Sequence, residues 1–190
     1  MGKQRLEFIK SLNEKEVKPP EITIGENCQI CKTAVLGNEG FGFEPDENGD
    51  LIFFPHFCGV TIGNNVRIGS HSCIDRGNLK DTIISDNVKI DNLVHISHNT
   101  VIGAHTMIAA QCGFVGSATI GSQVQMGGQV GVSRVTIGDR CIIAAKAGVT
   151  KDVPAGETFS GFPAWQHRDE IQKEAFIRRL YKQHRSSKNA

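Results

Sequence analysis

The chain has 190 residues, with 21 Lys and Arg set against 20 Asp and Glu for a formal net charge of +1. That length suffices for one domain with a real core. The near balance of charge leaves no global field to gather nucleic acid or an anionic membrane, and without a run of eighteen apolar residues no transmembrane helix is expected.

Residues 3–16 predict a short amphipathic helix, with Leu6, Ile9 and Leu12 at helical spacing and Pro19 and Pro20 ending it. This stretch is charged throughout and lacks the apolar centre of a secretory signal, so a cytoplasmic location is expected. From Ile24 onward an apolar residue heads every sixth position. The heads are Ile24, Ile30 and Leu36, then Ile62, Ile68 and Ile74, then an unbroken series from Ile84 to Val132, and finally Ile137, Ile143 and Val149. Two positions before each head stands a second inward candidate, usually small or β-branched, such as Val66, Val88, Cys112 or Ala147. A period of six belongs neither to a helix nor to a hairpin; it marks a parallel β-helix. Each hexad supplies one short strand and one corner, with inward side chains alternating along the strand. Glycines, among them Gly63, Gly69 and Gly103 after the heads, or small polar residues are expected at the corners where φ is positive. Three hexads close a triangular coil, so the eighteen heads make six coils.

Cys28, Cys112 and Cys141 fall on inward positions and read as small core hydrophobes. The lone C-x-x-C of Cys28 and Cys31 lacks the second pair of a metal ribbon, and reduced thiols agree with a cytoplasmic protein. The predicted fold is an all-β solenoid, a parallel β-helix of hexapeptide repeats with a short N-terminal helix and a C-terminal α-helix. Residues 1–20 form the N-terminal helical segment. Residues 21–153 form the β-helix, with a Phe-rich loop or hairpin inserted at 38–59. Residues 154–190 form the C-terminal extension, with the helix itself over 167–184.

The period breaks three times. The insertion at 38–59 follows Leu36, four extra residues in RGNLKD (76–81) follow Ile74, and one residue is missing after Val132. Leu36, Ile74, Ile96, Phe114, Val132 and Val149 are all third heads, so all three breaks fall at one corner of the prism. Insertions in a stacked solenoid gather on its working face. The residues two past these heads, Asn38, Arg76, His98, Gly116 and Arg134, form a ladder with His98 as its general base. A neutral imidazole there takes a proton from an attacking amine or hydroxyl, and the bare backbone of Gly116 next to it suits a growing oxyanion. A corner His can equally be solvated, and a corner Gly can exist for its φ alone; the convergence of the three breaks favours catalysis. His56 could line the same cleft. His95, His71 and His105 read as surface residues. Asp91 and Asp75 could orient His98 only from a neighbouring subunit, and filling a turn is at least as good an account of them.

IDRGNLKDT, IDNLVHISHN, GGQVGV, SGFPAW and EGFGFEPDENGD resemble segments of the UDP-3-O-(3-hydroxyacyl)glucosamine N-acyltransferases of lipid A synthesis, a hexapeptide-repeat family. The resemblance implies a left-handed β-helix and a homotrimer with active sites between subunits. It implies an acyl donor on the phosphopantetheine of acyl carrier protein and an amino-sugar nucleotide as acceptor; CoA is the alternative carrier, and no permanently bound cofactor and no metal are expected. The family's base falls on His98 and its oxyanion amide on Gly116. Asn99, Arg76, Arg134, Phe41, Phe43 and Asp91 are expected about the substrates, and the acyl chain near 144–150. The basic residues of the C-terminal helix suit docking to an acidic carrier protein. The family's N-terminal uridine-binding domain is expected to be absent, since only residues 1–21 precede the first coil. Where the family has a second active-site His, this chain has Arg134, which cannot act as a base. Two alternatives remain: an acetyl-CoA-dependent sugar N- or O-acetyltransferase, and a non-catalytic or metal-binding β-helix in which several His converge at an interface.

Overall fold

The computed structural model describes residues 2–188. Three parallel sheets wind into a prism whose faces begin at Ile22–Ile24, Gln29–Ile30 and Val35–Asn38. Each head stacks on the head one coil below: Ile90 on Ile68, Ile108 on Ile90, Phe114 on Ile96, Val132 on Phe114. The winding is left-handed, as the resemblance implies and against the usual right-handed crossover rule. The heads Ile62, Ile74, Ile96, Ile120 and Ile143 are at most 1 % exposed, each contributing about 1.5–3 kcal/mol of burial. The first coil has a neighbour on one side only, and Ile22 and Ile24 stay 38 % and 46 % exposed.

The corners differ from expectation. Positive φ falls three residues past the head, on Asn65, His71, Asn87, Asn99, His105 and Gln111, and among the glycines directly after the heads only on Gly37. Asn and its polar relatives tolerate the left-handed region. The glycines serve a different need, because the next coil's corner presses on them. A Cβ on Gly63 would lie 2.2 Å from Asp86 Oδ1, and one on Gly103 would lie 2.4 Å from the Gly121 carbonyl carbon. The inward cysteines also do more than fill space: the Cys112 thiol donates to the Gly127 carbonyl at 3.1 Å and Cys141 to the Pro154 carbonyl at 3.0 Å.

The ladder runs past Val149. Val153 bridges to Ile137, and Thr158–Ser160 pairs with Ile142–Ile143, so two faces of a seventh coil form before Trp165–Gln166 turns back antiparallel. Helix α2 (His167–Lys188) leaves from there with Phe176 and Tyr181 more than half exposed. At the other end helix α1 (Gly2–Asn13) buries Ile9 and Leu12. It is tied to the inserted hairpin Phe43–Pro45/Leu51–Phe53 by Asn13 Nδ2 donating to the Phe53 carbonyl at 2.9 Å and by Arg5 paired with Glu44 at 2.5 Å. No helix among the described residues is long and apolar enough to cross a membrane.

Candidate active site

The two insertions at the third-face corner lock together. Phe57 N–H donates to the Asn78 carbonyl and Cys58 N–H to the Gly77 carbonyl, while Asp81 accepts from Gly59 N–H at 2.8 Å and Thr61 Oγ1 at 3.1 Å. Asn99 pegs this wall to the coil above: Oδ1 accepts from Asn78 N–H at 2.8 Å and Nδ2 donates to Asn78 Oδ1 at 2.5 Å. With its amide so committed, Asn99 holds the loop rather than facing the cleft.

His98 emerges directly above this wall, and its ring fills the volume a side chain at Gly116 would need. A Cβ there would lie 2.5 Å from both Cε1 and Nε2 of His98. Ser117 N–H donates to the His98 carbonyl at 2.9 Å, fixing the two coils in register, while Gly116 N–H donates to no backbone carbonyl among the described residues. Arg134, one coil higher, reaches the Gly116 carbonyl with Nε at a long 3.4 Å. Burial pushes the His98 pKa below the usual imidazole value, the Arg134 charge pushes it the same way, and the Asn99 side chain opposes them. His98 is therefore a neutral imidazole at pH 7, in the form that accepts a proton. Its Nδ1 is buried without a hydrogen-bond partner.

A cleft of about 630 Å³ runs up the third face from His98, bordered by Phe41, His95, Ser97, Val115, Ser133, Arg134 and Thr150. On this face the outward position before the head is Val35, Cys73 or His95 in the lower coils but glycine in the next three, Gly113, Gly131 and Gly148. A Cβ added at Gly113 or Gly131 meets nothing within 4 Å, whereas one at Gly148 would strike the Phe162 ring at 2.0 Å. The floor is thus bare backbone, closed at its upper end by Phe162. Gly148 to Thr150 reach this cleft, while Ala144 lies in a separate concavity on the second face.

The remaining residues singled out in the sequence divide. Phe41 is 85 % exposed at the rim, and Phe43 backs it at 5.2 Å between ring centroids. His95 lines the cleft rather than standing idle: its Nε2 lies 3.1 Å from Ser97 Oγ and 3.4 Å from Asp75 Oδ2. Burial raises Asp75 to about 6 against the opposing pull of His95. Arg76 is turned inward, donating to the Lys18 carbonyl at 3.1 Å and to Glu39 at 2.5 Å, and it does not border the cleft. Asp91 accepts from Asn92 N–H at a second-face corner and borders the concavity there, so this chain does not bring it to His98. His56 is wholly buried against the His98 ring. The run of three glycines was a readable signal, at intervals of 18 and 17 residues, whereas nothing periodic points to His56. No group of three or more His, Cys, Asp or Glu among the described residues is placed to hold a metal ion.

Residues 81–116, from the second insertion through His98 to Gly116, match the bacterial transferase hexapeptide (six repeats) family. The chain is similar to the probable UDP-3-O-acylglucosamine N-acyltransferase 2, mitochondrial, of Arabidopsis thaliana, at 43 % identity over 143 residues, covering 75 % of this chain and 47 % of that protein. It is similar to the UDP-3-O-acylglucosamine N-acyltransferase of Wolinella succinogenes at 38 % identity over 160 residues, 84 % of this chain and 50 % of that one. Among solved structures, a UDP-N-acetylglucosamine acyltransferase superposes with a TM-score of 0.69 at 28 % identity, covering 86 % of this chain and 66 % of the other. The chain spans about half the length of the curated relatives it matches.

Proposed function

Since the chain belongs to the hexapeptide-repeat transferases and is related along its β-helix to the UDP-3-O-acylglucosamine N-acyltransferases, we propose that it moves an acyl group from a phosphopantetheine thioester to the amine of a nucleotide-linked amino sugar. The observation that carries this reading is the His98 ring seated over Gly116 at the foot of a groove floored by bare backbone. The amine lone pair attacks the thioester carbonyl carbon while His98 takes the amine proton. The Gly116 N–H donates to the oxyanion as it forms. The C–S bond then breaks, and the imidazolium returns its proton to the departing thiolate. Arg134 suits an acceptor phosphate, and Phe41 offers an exposed ring at the rim on which a sugar or base can stack.

The phosphopantetheine arm runs over Gly113 and Gly131. Gly131→Leu fills this groove without crowding the core, since its Cβ enters open space. The Michaelis constant for the acyl donor should rise about tenfold or more, the loss of a few contacts at about 1.4 kcal/mol per decade, with the melting temperature unchanged. Steady-state kinetics with varied donor and a thermal melt check both, and an unchanged Michaelis constant takes the arm off this face.

The same reading carries a homotrimer with sites between subunits and a cytoplasmic location. The concavity on the second face, with Met107 and Ile142 about half exposed, supports a neighbour packing there. Arg168, Lys173, Arg178, Arg179, Lys182 and Arg185 on α2 suit an acidic acyl carrier protein. The Phe162 ring over Gly148 supports a second reading, a sugar N- or O-acetyltransferase using acetyl-CoA, because it shortens the bare groove. Transfer assays with a UDP-linked amino sugar decide between them: preference for 3-hydroxyacyl carrier protein is expected, and preference for acetyl-CoA replaces the first reading with the second.

A further inference from the structure

His56 comes from the insertion at 38–59 and is 1 % exposed, its ring packed between those of Phe53 and His98. Its ring meets that of His98 edge to face, with centroids 4.9 Å apart and planes at 65°. Gly40, from the start of the same insertion, completes the contact. A Cβ there would lie 2.7 Å from His56 Nε2 and 3.0 Å from His98 Cδ2, so no side chain fits between the wall and the rings. The His98 imidazole is thus held between Gly116 and the His56–Gly40 wall. A histidine base is ordinarily oriented by a third group bonded to its other nitrogen, yet the buried Nδ1 of His98 has no partner among the described residues.

We propose that His56 is a positioning residue for His98, an uncharged aromatic ring that fixes the base across Gly116 by contact and keeps water from its far side. This rests on His98 being the general base. The contact between the two histidines is ring to ring, so His56 acts on the base through shape and neutrality rather than through a hydrogen bond to it. Burial first, then the nearby charges of His98 and Arg76, lowers its pKa to about 4, so it adds no like charge when His98 becomes an imidazolium. The other ionisable groups around the pair are Arg134 on the coil above, Arg76 with Glu39 on the wall, and His95 with Asp75 at the cleft edge. Beyond His56 the rings of Phe53, Phe43 and Phe41 follow at 5.8, 5.4 and 5.2 Å, so the rim that meets substrate and the support of the base are one packed body.

Two variants test this. His56→Ala should lower kcat about tenfold to a hundredfold, the cost of a base displaced by an ångström or so, with the Michaelis constants little changed. The acid limb of its kcat/KM profile should move to higher pH as water relieves the burial of His98. His56→Phe keeps an aromatic ring and replaces two buried polar nitrogens by carbon. It should hold kcat within about threefold of the parent, keep the parent pH profile and raise the melting temperature. A His56→Ala protein with parental kcat and pH profile overturns the proposal, and so does a His56→Phe protein as slow as His56→Ala, which would give the nitrogens the role. Should the Ala variant fail to fold, the Phe variant alone still decides. Loss of the base itself is read separately: if His98→Ala stays active the underlying mechanism fails, whereas an inactive His98→Ala beside a fully active His56→Ala rejects only the positioning role.

Discussion

His98→Ala is expected to lower turnover by about 10²–10⁴-fold, the range that positioned general bases contribute, while the β-helix keeps its fold. The side chain lies two past a head, outside the aliphatic columns of Ile96 and Phe114, so its loss removes little core packing. The parent enzyme carries a second signature of the same group. Burial and the Arg134 charge depress the His98 pKa, so the neutral base persists below the ordinary imidazole value of about 6.5, and kcat/KM should hold to lower pH than a solvent-exposed imidazole allows. The sign for stability follows from the same shifts. The unfolded chain takes up protons on His98 and His56 at a higher pH than the folded one. Both imidazoles therefore contribute stability that is complete above about pH 6.5 and lost as pH falls, for His56 toward about 4. Steady-state rates across pH, with circular dichroism on parent and variant, check the whole set. A His98→Ala enzyme turning over at the parental rate removes the base from the mechanism.

Gly116→Val should cost about 10²-fold or more in kcat/KM, in the range for removing an oxyanion donor, through a different fault. Its Cβ would stand 2.5 Å from two atoms of a ring that His56 and Gly40 hold from the far side. The imidazole has no easy retreat, so either His98 leaves its position or the coil shifts and carries the Gly116 N–H with it. Gly113, three residues earlier on the same coil, is the control for folding, because a Cβ there meets nothing within 4 Å. A Gly113→Ala enzyme should melt as the parent does and a Gly116→Val enzyme should be slow even where folded. A folded Gly116→Val enzyme turning over at the parental rate takes Gly116 out of the site.

The prism and its ladder were open to reading because both depend on local spacing. A six-residue period carries the inward columns, and counting heads in threes stacks His98 under Gly116, as the register from Ile96 to Phe114 bears out. The corners misled because glycine serves two needs. Its freedom in φ suggested the left-handed position, yet Asn65 and Asn87 occupy that position, and the glycines after the heads answer to crowding between coils. Arg76 was drawn toward the substrate by its place in the ladder, but the insertion before it supplies Glu39 and turns the guanidinium inward. Beyond the six coils counted from the heads the ladder gains two more rungs, because Val153 comes after a single shortened step of four residues and Phe159 follows it at the regular six. His56 lay outside any reading by period, since only the folding of an irregular insertion brings it to His98.

The three interruptions of the repeat share one vertex of the prism, where the chain passes between two of its sheets. Lengthening a connection there costs little, about 0.6 kcal/mol for each doubling of a flexible loop, and leaves the stacked aliphatic columns untouched. The insertion at 38–59 nevertheless ties recognition to chemistry along this edge, since it carries both the exposed Phe41 and the His56 ring packed on His98. A loop exchanged at this vertex to suit a new acceptor must therefore keep the contacts of Gly40 and His56, or the imidazole loses its seat.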